Sequence, residues 1–168
     1  MNLTVRRDGA HFVLDWGAGA RNCAVGKGGV GEKRAEGDGI TPAGHWPLRR
    51  VLYRPDKMDA PKTVLPVQQI DEEDGWCDTP ADVNYNRLVQ LPYPSHAEAM
   101  WRADGLYDVV VVLGFNDAPI VKGKGSAIFL HVAKPDYAPT NGCVAVKRED
   151  LLEALAQLAR GDRIRIEK

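Results

Sequence analysis

The chain is poor in cysteine, has no charge excess of either sign, and contains no long apolar run. Its three cysteines, Cys23, Cys77 and Cys143, cannot all pair, and none stands in a Cys-x-x-Cys or Cys/His cluster of the kind that holds zinc. At least one thiol is therefore free. A formal net charge of -1, with acids and bases interspersed, gives no electrostatic footprint for nucleic acid or an anionic membrane. No apolar stretch reaches the roughly 18 residues needed to cross a bilayer, so no membrane insertion is expected. The start, Met1-Asn-Leu-Thr-Val-Arg-Arg-Asp-Gly9, lacks the apolar block of a secretory leader, which predicts a cytoplasmic chain.

What is present is the balance of a globular protein, 44% apolar and 27% charged over 168 residues, enough for one domain, residues 1–168, with a substantial core. Short apolar runs at Leu3–Val5, His11–Leu14 and Cys23–Val25, parted by Asp8-Gly9 and Gly17-Ala-Gly19, predict a meander of short strands. Gly26-Lys-Gly-Gly-Val-Gly31 has a superficial likeness to a phosphate-cradling loop. No Gly-Lys-Ser/Thr and no crossover helix follow it, so it reads as a turn.

Glu36 to Gly44 is a second, rigid turn cluster, and a strand is expected near Arg49–Tyr53. Residues 54–66, with Pro55, Pro61 and Pro66, read as an irregular loop. Val67–Ile70 reads as a strand, and Ala97–Trp101 as a helical turn or two. Val109–Leu113 carries no alternation and is expected as a strand buried on both faces. Leu151, Leu155 and Leu158 mark a helix from Arg148 to Ala159, with Glu149 and Asp150 suiting its positive end and Gly161 as its stop. Arg163–Glu167 alternates as a last strand. The fold class is mainly β, a β-rich α+β arrangement with a helix near the C-terminus.

The chemistry concentrates between Ala127 and Val146. Period 2 places Ile128, Leu130 and Val132 on one face and Phe129 and His131 on the other. A polar loop leads to Gly142-Cys143, after which Cys143 shares a face with Ala145. A histidine on a rigid strand, and a thiol at the start of a second strand behind a glycine, is what a thiol nucleophile requires. A packed cysteine and a satisfied core histidine fit the same letters. Trp76, Asp78, Tyr85 and Arg87 lie in a stretch of little periodicity. They suit either a pocket wall or a core cap with surface ion pairs.

Thr41-Pro-Ala-Gly44, His131 and Thr140-Asn-Gly-Cys143 together resemble the bacterial L,D-transpeptidase (YkuD-type) catalytic domain. Glu36–Gly44, Asp74–Asp78, Tyr85–Arg87, Gly125–His131 and Pro139–Ala145 resemble a short, single-domain branch of it. The resemblance implies packed, partly closed mixed β-sheets with the Cys and His meeting at one cleft. It also implies peptidoglycan stem peptides as donor and acceptor, no metal or cofactor, and work in the cell envelope. Cys143 would be the nucleophile and His131 its base, with a backbone carbonyl of the 133–141 loop orienting the imidazole.

An imidazolium beside Cys143 would lower the thiol pKa, and the N–H groups of Gly142 and Cys143 would hold the oxyanion. Thr140 and Asn141 are the expected substrate contacts beside the thiol. Arg54, Arg87 and Asp78 would meet the carboxylates and ammonium of a stem peptide. The commoner family pattern has His where this chain has Asn141, and Arg or Asn shortly after the Cys where Val146-Lys147 stand; the loop is also shorter. Transfer to an amine gives a cross-link. Hydrolysis at the same site would make the protein a carboxypeptidase, and a packed Cys143 would leave a peptidoglycan-binding module.

Overall fold

The computed structural model describes residues 1–168. In chain order its strands are β1 (Leu3–Asp8), β2 (His11–Asp15), β3 (Ala20–Ala24), β4 (Val30–Gly31), β5 (Thr41–Pro42), β6 (Gly44–Tyr53) and β7 (Val67–Gln69). There follow β8 (Asp74–Cys77), β9 (Leu88–Gln90), β10 (Ala97–Ala99), β11 (Val109–Leu113), β12 (Phe129–Val132) and β13 (Val144–Val146). Helix α1 (Arg148–Gln157) and β14 (Arg163–Ile166) complete the chain. The fold is mainly β with one short helix, as expected.

The large sheet runs β11-β12-β13-β3-β2-β1-β14-β6-β7, and a further pairing of β11 with β6 joins it into a ring. Strand β6 makes this closure because its first half pairs with β14 and its second with both β7 and β11. One core lies inside, built from residues such as Leu3, Leu14, Val51, Val111, Leu130, Val144 and Ile164. Helix α1 adds Leu151, Ala154 and Leu155 to it. The five residues of β11 are all buried, as its unbroken apolar run predicts. Each such side chain contributes about 2 kcal/mol of burial free energy.

A second core lies on the outer face of the ring, where Val110, Val112, Phe129 and Cys143 pack against Trp76, Met100 and Tyr107. Its cover is a small sheet ordered β10-β8-β9. Two sequence expectations fail here. Ala97–Trp101 is not helical: Ala97–Ala99 pairs antiparallel with β8. Trp76-Cys77 likewise is not irregular, because it belongs to β8. Ala and Glu are good helix formers, but intrinsic propensity is worth only about a few tenths of a kcal/mol per residue, and pairing to a neighbouring strand outweighs it.

The helix also stops earlier than Gly161 suggests. Leu158, its C-cap, turns extended (ψ 145°) and is buried in the inner core. Gly161 then serves the turn that follows, with φ +87°.

Candidate active site

His131 and Cys143 come together through adjacent parallel strands. Strand β12 pairs with β13 so that His131 stands opposite Ala145, two residues beyond Cys143 on the same face. Strand spacing and rise put the two α-carbons roughly 8 Å apart, a gap that an imidazole and a thiol side chain span. Both line a cleft of about 660 Å³ at the edge of the small sheet, a size usual for ligand sites.

The residues around the thiol are held by a compact set of hydrogen bonds. The Thr140 hydroxyl donates to the Cys143 carbonyl at 2.6 Å and accepts the Gly142 N–H at 3.1 Å. Thr41, fully buried, accepts the Gly26 N–H at 2.8 Å and reaches the same Cys143 carbonyl at 3.4 Å. Lys27 N–H donates to Thr140 O, and Thr140 N–H to Val25 O. The glycine-rich turn explains itself at this point. A Cβ on Gly26 would fall 2.1 Å from Gly39 O and 3.0 Å from the Gly142 α-carbon, so its role is close packing behind the thiol.

Gly142 has φ +139°, and a Cβ there would meet Ile40 O at 3.1 Å. Gly142→Ala is expected to destabilise the protein by about 1–3 kcal/mol through strain and contact together. Gly161→Ala, at positive φ but in open space, carries the backbone component alone. Thermal melts of the two variants separate the contributions, and equal losses would remove the close-contact explanation.

Burial dominates the protonation of the pair. It pushes the Cys143 thiol up to about 12 and the His131 imidazole down to about 4. Burial thus disfavours both the thiolate and the imidazolium, against the expected ion pair. The thiol donates to Ala127 O at 3.1 Å and accepts the Phe129 N–H at 3.4 Å. His131 Nδ1 lies 2.9 Å from Val132 O, and a carbonyl can only accept, so Nδ1 carries the proton and Nε2 is the free base. The orienting carbonyl is thus in β12 itself, one residue before the loop. Tyr107 packs edge-on against the imidazole at 5.2 Å.

Of the two expected oxyanion donors, the Gly142 N–H is already engaged by Thr140. The Cys143 N–H has no acceptor within the chain. A cation missed in the sequence stands nearby. Lys33, with a side chain only 2% exposed, ion-pairs with Asp38 at 2.6 Å and lines the cleft beside Gly142. Burial would raise the Asp38 pKa, but Lys33 and the N–H groups of Ile40, Arg34 and Ala35 hold it far below the usual carboxylate range. Nothing in the local letters around Lys33 distinguishes it from an exposed lysine.

Lys33 is one of the cations that favour the Cys143 thiolate. Lys33→Met is therefore expected to slow alkylation of Cys143 by iodoacetamide about tenfold near neutral pH. Lys33→Arg should retain most of the rate, and a Met variant with wild-type kinetics would exclude the electrostatic role.

The other expected contacts divide. Thr140, Asn141 and Asp78 line the cleft, the last held by His96 Nδ1 at 2.6 Å. Tyr85 is 1% exposed and acts indirectly: its hydroxyl donates to the Glu36 carboxylate, which lines the cleft and also accepts from Ser126 at 2.8 Å. Trp76 is buried, with its indole N–H on Asn86, and neither it nor Arg87 reaches this cleft. Arg54 is corrected outright. It is buried, forked onto Asp56 and stacked 3.6 Å over Trp101, where it ties down a loop away from the thiol.

Glu98 on β10 supplies an unanticipated acid. Burial pushes its carboxyl above the ordinary range, against the hydrogen bond from Tyr107 and the Arg102 guanidinium 3.7 Å away. The cleft thus presents cations (Lys27, Lys33, Arg102) and acids (Glu36, Asp78, Glu98) around one thiol. No group of three or more His, Cys, Asp and Glu side chains is placed to hold a metal ion. No helix is long and apolar enough to cross a membrane.

The family model for the L,D-transpeptidase catalytic domain, YkuD, matches residues 3–166. No curated protein and no solved structure matches the chain. With all but the terminal residues covered, the chain belongs to the YkuD family of L,D-transpeptidase catalytic domains.

Proposed function

We propose that this protein is a cysteine acyltransferase that cleaves an L,D peptide bond of a peptidoglycan stem peptide and passes the acyl group to an amine. The observation that carries the reading is the common cleft: the Cys143 thiol and the free Nε2 edge of His131 lie on neighbouring parallel strands and face one opening. A mixed lining of cations and carboxylates suits a peptide that bears both ammonium and carboxylate groups.

With burial favouring a neutral thiol and a neutral ring, proton transfer accompanies attack. His131 Nε2 takes the Sγ proton as sulfur bonds to the donor carbonyl carbon, and the carbonyl π electrons move to oxygen. The Cys143 N–H is the available backbone donor for that oxyanion, with the Lys33 ammonium adding positive charge. Collapse of the tetrahedral species breaks the C–N bond. The D-residue leaves as an amine carrying the proton from Nε2, and the acyl group remains as a thioester. An acceptor amine then attacks the thioester carbonyl, gives its proton to Nε2, and releases the thiol as the new peptide bond forms. Water in place of the amine gives a shortened stem instead.

Intact-mass spectrometry of the full chain incubated with a donor tetrapeptide tests the reading. The expected result is a mass increase equal to the donor less the released D-amino acid, mapped to the Cys143 peptide, and a cross-linked dimer once acceptor is added. Tetrapeptide that binds without any covalent adduct would make the chain a binding module. Turnover to tripeptide alone would make it a carboxypeptidase.

A further inference from the structure

A second cavity, of about 550 Å³, opens on the same outer face of the ring, at the β9 side of the small sheet. It shares Ile128 with the catalytic cleft and is otherwise lined by different side chains. Its construction begins with an irregularity in β6. Val112 pairs with Arg50 and Leu113 with Leu48, so Arg49 is an extra residue in the ladder. In a regular strand, consecutive side chains point to opposite faces. A bulge breaks that alternation and re-aims a side chain. Arg49 and Arg50 accordingly line the same cavity, and Arg87 lines it as well.

The three guanidinium groups are not equivalent. Arg49 is neutralised by a two-pronged pair with Asp117, at 2.7 and 2.9 Å. Arg50 makes no ion pair or hydrogen bond. Its guanidinium lies 5.9 Å over the Trp76 ring, and its Nε is shut off from water with no acceptor. No acid therefore offsets the charge that Arg50 brings to the cavity lining. Arg87 is exposed and likewise has no acid. Asp117 is the sole acidic lining residue, which leaves two positive charges beside the amides of Gln68 and Asn86 and an apolar floor that includes Trp76, Leu88 and Val112.

We propose that this cavity is an anion-binding site, separate from the thiol cleft, that takes a small oxyanion-bearing ligand. Arg50 and Arg87 grip its carboxylate or phosphate, and its apolar body lies on Trp76 and Leu88. Forked guanidinium donors match either group, and an aromatic floor favours a ligand with an apolar portion. The inference does not depend on the acyl chemistry, since neither arginine lines the catalytic cleft.

Calorimetric or NMR titration of the full chain with benzoate and with inorganic phosphate, at constant ionic strength, tests it. Saturable binding of at least one probe is expected, weakened about tenfold or more in Arg50→Gln and in Arg87→Gln. Preference for benzoate assigns a carboxylate ligand and preference for phosphate a phosphorylated one; both support the site. Arg87, being exposed, is replaced without risk to the fold, so the test survives a poorly folding Arg50 variant. Absence of saturable binding by either probe, or undiminished affinity in Arg87→Gln, overturns the proposal.

Discussion

Cys143→Ala is expected to lose the acyl adduct completely and to reduce turnover of a donor stem peptide on the order of 10⁴-fold or more. A nucleophile cannot be bypassed when the proposed intermediate is a bond to its sulfur. The loss should come without unfolding. Cys143 is 8% exposed and contributes one small side chain to the outer core. The main loss is then a small cavity and the contacts of sulfur with Ala127 O and Phe129 N–H. Cys143→Ser retains a hydroxyl for both contacts and should be equally inactive, because His131 is too weak a base to ionise an alcohol in this site. Donor turnover by liquid chromatography, read beside circular dichroism, checks both variants. Alanine protein with near wild-type turnover would end the thioester mechanism.

His131→Gln is expected to lower turnover by about 10²–10⁴, the range for a lost general base, while leaving donor binding nearly intact. The same substitution should alter acid stability in a way that a purely structural histidine exposed to water would not. In the unfolded chain the imidazole binds a proton below a pH of about 6.5. In the folded protein burial delays this to about 4. The unfolded state therefore binds the extra proton between those values, and stability present above pH 6.5 drains away as the pH falls toward 4. Complete transit of the window corresponds to about 3 kcal/mol from this one group. Urea unfolding at pH 7 and pH 4.5 should thus show a decline in wild type that shrinks by about 2–3 kcal/mol in His131→Gln. Identical declines would mean that the imidazole takes a proton freely in the folded protein.

Depressed basicity of His131 and the raised thiol pKa have one cause: the small sheet covers the outer face of the ring and excludes water from both. In the proposed reaction such a pair would stay unreactive until a substrate carbonyl accepts electron density from sulfur. The Val132 carbonyl fixes which ring nitrogen is free for that moment. Lys33 brings the only fully enclosed cation of the cleft to the same spot. Removing either group should be felt in the chemical step more than in binding.

Much of this was legible in the letters. Alternation in Ala127–Val132 assigns Phe129 to the outer face and Ile128 and Leu130 to the inner one, which is how the two cores divide them. The uniform apolar run of β11, the leucine stripe of α1 and the ordered Gly-Cys and Thr-Pro-Ala-Gly blocks carry fold class and family. These signals are readable because side-chain periods of 2 and 3.6 are properties of a strand or helix alone. Local letters failed at β8–β10, where short strands exist only by pairing with each other. They also failed at Arg54 and Trp76, whose places depend on what lies across from them.

Composition and local pattern thus establish a β-rich chain that presents one histidine and one cysteine from successive strands. Closure of the ring through β6, the cover over the thiol, the approach of Lys33 and the meeting of Arg50 with Arg87 come only from long-range packing. The physical reason is that a strand's periodicity is encoded in the strand. A group's charge state and partners depend on the solvent and the residues that distant segments take away or bring.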